Sequence, residues 1–126
     1  MAAESIVRIQ TEIQGLGQNL VWANKSADSE TPTDAAGPVY VVLGTAPQQL
    51  DLISIGAQEL RGVSIAAKSG SVYVGPVSSA NITAACFISE GNALHLMYQP
   101  GVTAVPWVQG DSSSAACEYI VWGVST

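Results

Sequence analysis

Apolar and polar residues alternate along much of this chain. Val63, Ile65 and Ala67 interleave with Ser64, Ala66 and Lys68; Val72 and Val74 flank Tyr73; Leu94, Leu96 and Tyr98 interleave with His95 and Met97. A period of two puts such residues on opposite faces of an extended strand, so these runs read as half-buried β-strands. Further strands are expected at 6–13, 19–23, 38–44, 51–55, 82–89 and 117–124, separated by Gly, Pro, Asn and Ser clusters. Ile6, Ile9, Ile13 and Leu16 also recur at helical spacing, but the β-branched content and the stop at Gly15 and Gly17 select strand. Two hairpins are predicted, 61–68 into 71–75 through Ser69-Gly70, and 82–89 into 93–99 through Glu90-Gly91-Asn92. The tract 24–37 holds Asp28, Glu30, Pro32 and Asp34 and is expected to be a long acidic loop. Short strands with regularly spaced turns predict a single all-β domain over 1–126. Its expected form is an antiparallel β-sandwich, jelly-roll-like, of about eight to nine short strands, with an N-terminal arm at 1–5.

Composition removes several functions. Ten Asp and Glu against four Lys and Arg give a formal charge of −6. Arg8, Lys25, Arg61 and Lys68 cannot neutralise a row of phosphates, which excludes nucleic acid as a partner and disfavours anionic membrane surfaces. Residues 69–89 carry no charge over a length that could span a bilayer, but Gly70, Gly75, Pro76 and Asn81 are unsuited to a helix in hydrocarbon. The N-terminal residues lack the basic start of a signal peptide, so synthesis in a cytoplasm is expected. Only 11% of residues are charged, and strands of this kind can lose surface to neighbouring subunits with little charge desolvation.

Recognisable chemistry is sparse. Cys86 and Cys117 lie 31 residues apart without the close pairing of a metal site; the reading favours reduced, buried thiols over a disulfide between neighbouring strands. Gly15-Leu-Gly-Gln-Asn-Leu20 begins like a dinucleotide fingerprint but lacks its third glycine. Asp28, Glu30 and Asp34 lack the turn glycine and terminal Glu of a calcium loop. No metal or cofactor is expected. His95 has no local nucleophile or carboxylate, so no catalytic residue is assigned. Trp107 either closes one end of the core with Val105 or anchors a contact loop at 102–108 held by Pro100, Gly101 and Pro106. Trp22, Tyr119 and Trp122 are expected in core or inter-subunit packing. The segment Ser5-Ile-Val-Arg-Ile could add a strand to a partner's sheet edge, with Arg8 meeting an acidic surface. The candidate interface residues are therefore Ile6, Arg8, Val105 and Trp107.

Arg61-Gly-Val-x-Ile-x-Ala, followed by Val72-Tyr-Val-Gly75 and by Tyr119-Ile-Val-Trp-Gly-Val124, resembles a group of small all-β virion proteins of tailed bacteriophages over residues 60–124. That resemblance implies a non-enzymatic capsid decoration, or cement, protein on the virion surface. It further implies the major capsid protein as partner, a homo-oligomer with a trimer favoured, and arms or loops touching the shell. Two other readings remain: a head- or tail-fibre module binding a receptor or sugar, and a small hydrolase. An exposed aromatic platform beside polar side chains would mark the former. A cleft joining His95 to a carboxylate and a nucleophile would mark the latter.

Overall fold

Alternating apolar positions form strands here because extended backbone lets one face be buried while the ladders satisfy its N–H and C=O groups. The computed structural model describes residues 4–15, 17, 19–27, 32, 34–51, 59–75, 86–98 and 106–124. Its strands are β1 (Ile6–Ile13), β2 (Leu20–Ala27), β3 (Asp34–Val42), β4 (Gln48–Gln49), β5 (Glu59–Ser69), β6 (Val72–Gly75), β7 (Cys86–Ile88), β8 (Ala93–Met97), β9 (Trp107–Gly110) and β10 (Ala116–Val124). The chain divides into two compact units, Met1–Pro32 and Thr33–Thr126.

The first unit is a two-stranded antiparallel hairpin in which β1 and β2 pair from Ile6↔Ala27 to Ile13↔Leu20. The second holds two four-stranded antiparallel sheets. One has the order β3-β10-β5-β8 and the other β4-β9-β6-β7. Their inward residues meet in one core: Val63, Ile65, Cys117, Tyr119 and Val121 from the first sheet, and Val72, Val74, Ile88 and Val108 from the second. Each fully buried Val, Leu or Ile contributes roughly 1.5–3 kcal/mol through removal from water. This is the expected all-β, antiparallel sandwich.

Both predicted hairpins are something else. β5 and β6 lie in different sheets, as do β7 and β8, so the turns at Ser69-Gly70 and Glu90-Gly91-Asn92 carry the chain across the sandwich. The first corner is held by carboxylates: Gly70 N–H donates to Glu90 Oε1 at 3.3 Å and Ser71 N–H to Asp111 Oδ1 at 3.1 Å. The acidic tract 24–37 is strand at both ends, because Asn24 and Lys25 pair with Ile9 and Arg8, and the start of β3 pairs with β10. Residues 48–49 and 107–110, where the sequence predicts no strand, also form strands. The strand expected at 51–55 falls largely outside the described residues, as does the first half of the one at 82–89.

Two glycines are required by what lies beside them. At Gly37, with φ near +117°, a Cβ would stand 2.7 Å from the Tyr119 carbonyl, beside the register shift between Tyr119 and Val121. Pro38 follows on β3, an edge strand, where a missing N–H costs least. At Gly62 a Cβ would fall on the Trp122 indole, whose Cδ1 would be 2.9 Å away, so Gly62 provides the indole's seat on the neighbouring strand.

Candidate functional site

The hairpin places Ile6 and Arg8 on one face of β1 with Gln10 and Glu12, opposite Val21, Ala23 and Lys25 on β2. Arg8 and Lys25 stand directly across from one another, and neither forms an ion pair among the described residues. Like charges so paired repel, and Glu12 is the acidic side chain of β1 on the same face. The other face is uncharged: Val7, Ile9, Thr11 and Ile13 from β1 lie beside Leu20, Trp22 and Asn24 from β2. Trp22 is 57% exposed, and Ile9, Ile13 and Leu20 are exposed as well, so Trp22 is not core packing as one of its two expected roles had it. Thr11, Ile13, Leu20, Val21 and Trp22 line a hollow at the turn end. β1 pairs on one edge only, and its other edge is open within the hairpin sheet, as strand addition requires.

The second pair of predicted contact residues is divided. Val105 lies outside the described residues. Trp107 is half-buried on β9, between the buried Pro106 and Val108, and opposite Gly75 and Gln49. It therefore sits on the outer face of the second sheet and not on a loop. That face also carries Tyr73, directly across from Phe87 and Gln109. The Tyr73 and Phe87 rings have centroids 5.2 Å apart and are tilted by 53°. Sequence reading left these residues out, although Tyr73 between Val72 and Val74 and Phe87 between Cys86 and Ile88 carried the alternation that points them outward. What the sequence did not reveal is that their strands are neighbours.

On the outer face of the first sheet, pairing of β5 with β8 sets Ser64 opposite His95. The Ser64 hydroxyl is 2.7 Å from His95 Nδ1, and His95 Nε2 is 3.0 Å from Met97 Sδ. A hydroxyl held to an imidazole is the beginning of a nucleophile and base pair. Ser64 is, however, in the middle of β5, whose backbone N–H groups are committed to ladders with β10 and β8. An acyl-transfer site needs free donors at the position of the developing oxyanion, and this position offers no such backbone pair. The adjoining groove, about 160 Å³, is shallow and is lined by Ser64 and the Glu118 carboxylate together with Pro38, Ala66, Ala93 and Ile120; His95 is not among its lining residues.

Buried Arg61 forms an ion pair with Glu59 at 2.6 Å, and exposed Lys68 lies 3.8 Å from Glu118. Among the described residues no group of three or more His, Cys, Asp or Glu is placed to hold a metal ion. Cys86 and Cys117 are free; Cys117 is buried as expected, whereas Cys86 is exposed. Burial pushes the Cys117 thiol up to about 11 and the Tyr98 phenol up to about 12. Burial also raises Tyr119, whose hydroxyl donates to the Asp51 carbonyl at 2.8 Å. These are inert core groups, not activated ones.

Comparisons with protein-family models, with curated proteins and with solved structures find no match.

Proposed function

We propose that this chain is a non-enzymatic virion structural protein, a capsid decoration protein that docks on the major capsid protein of a tailed-phage head shell and assembles as a homo-oligomer, with a trimer favoured. The observation that carries this reading is the hairpin. Two-stranded ribbons are at best marginally stable in water by themselves, and this one exposes Ile9, Ile13, Leu20 and Trp22. Covering such side chains contributes roughly 1.5–3 kcal/mol each, so the hairpin gains order by docking. Arg8 and Lys25, two of the four cations of an acidic chain, give its other face attraction for a negatively charged shell.

The sandwich supports the same reading. The segments that resemble phage virion proteins lie on β5, β6 and β10, and β5 and β10 are hydrogen-bonded neighbours. We read the described strands of the second unit, in the orders β3-β10-β5-β8 and β4-β9-β6-β7, as a jelly roll, an architecture used by capsid and lectin domains. Architecture by itself does not assign function; it is the hairpin that supplies a means of attachment. Co-sedimentation with empty head shells lacking their decoration protein tests the proposal. The intact chain is expected to pellet with the shells at a saturating ratio, and Trp22→Ser and Arg8→Glu are each expected to weaken binding without lowering the melting temperature. Failure of the intact chain to pellet contradicts the proposal.

A further inference from the structure

We infer that the outer face of the second sheet is a binding platform for a neutral oligosaccharide, built from Tyr73, Phe87 and Trp107 with the amides of Gln49 and Gln109. Registration of three strands assembles it. Phe87, Tyr73 and Gln109 lie in one row across β7, β6 and β9, while Trp107 and Gln49 lie in the next row across β9 and β4. Trp107 is diagonal to Tyr73, about 7–8 Å away by general sheet geometry, a separation on the scale of one sugar ring.

The side-chain chemistry selects the ligand class. Aromatic faces take the apolar C–H side of a pyranose, and carboxamides offer both donors and acceptors to its hydroxyls. None of the five residues is charged, so a phosphorylated, sulfated or carboxylated ligand would find no counter-ion among them. Glu90 and Asp111, at the neighbouring corner, are engaged with the N–H groups of Gly70 and Ser71. Phe87 is 54% exposed and Gln49 is exposed, while Tyr73, Trp107 and Gln109 are half-buried and present only part of their side chains to solvent. Beneath them Val72, Val74 and Val108 are fully buried, which fixes the platform on a rigid sheet. The inference stands apart from capsid attachment, which uses the hairpin.

Isothermal titration calorimetry of the full chain tests the platform, with neutral hexasaccharides of glucose, galactose and N-acetylglucosamine as probes and heparin as an anionic control. At least one neutral probe is expected to bind saturably, with Kd on the order of 1 mM or tighter and little dependence on salt. Phe87→Ala and Gln109→Ala, both at non-core positions, are expected to weaken that binding about tenfold, the scale of one lost aromatic or polar contact. Trp107→Phe should give a smaller loss. Heat from none of the neutral probes, binding of heparin alone, or affinity unchanged in both Phe87→Ala and Gln109→Ala would overturn the inference. So would a shift from oligomer to monomer in Phe87→Ala, because the face would then be covered by a second copy.

Discussion

Single residues show where this fold has no slack. Gly62 gives Trp122 its seat, and a methyl group there would collide with the indole. Gly62→Ala is expected to destabilise the protein by about 1–3 kcal/mol, the usual cost of overpacking, seen as a lower urea midpoint; an unchanged midpoint would mean that the indole moves freely. The two thiols should behave differently. Exposed Cys86 should react with a thiol reagent in the native protein, and buried Cys117 only after denaturation. High pH bears on the same core. The folded state keeps the Cys117 thiol protonated from its ordinary 9.0 up to about 11, and the Tyr98 phenol from 10.0 up to about 12. Deprotonation therefore favours the unfolded chain, and the stability in question is complete below about pH 9 and lost progressively as pH rises toward about 12. Urea midpoints across that window should fall, and Cys117→Ala should remove the earlier part of the fall. A flat profile would contradict the burial of these groups.

At the scale of elements, Arg8 and Lys25 repel across the hairpin on the face proposed to dock. Lys25→Glu would set opposite charges across from each other and stabilise the ribbon by roughly 0.2–1 kcal/mol, while removing a cation from the face proposed to meet the shell. Slower amide exchange in the free hairpin together with weaker shell binding is the expected pair of results; stronger binding would show that order, not charge, limits docking. The strands themselves were largely legible, since alternation at Val63-Ser64-Ile65 or Val72-Tyr73-Val74 reports which side chains face the core. Alternation does not report which strand lies alongside. That is why Ser69-Gly70 reads as a hairpin turn when it is a corner between sheets, and why Ser64 and His95, 31 residues apart, give no local sign that their side chains meet. Trp107–Gly110 was concealed by the Pro and Gly that bound it, although its burial alternates like that of any half-buried strand. Asn24 and Lys25 have weak strand propensity but are held extended by their partners on β1, a case of pairing overriding local preference.

The whole molecule combines a packed sandwich with a hairpin that exposes Ile6, Ile9, Ile13, Leu20, Val21 and Trp22. Light scattering at micromolar concentration is expected to report a symmetric oligomer, a trimer before a dimer; a stable monomer would place oligomerisation on the shell instead. The hairpin is proposed as the attachment element. Hydrogen exchange of the amides of residues 6–27, measured with and without empty head shells, tests it most directly. Rapid exchange is expected in the free protein, as for a two-stranded ribbon, and strong protection on the shell. Binding to shells with exchange of 6–27 unchanged, and protection confined to the sandwich, would contradict it.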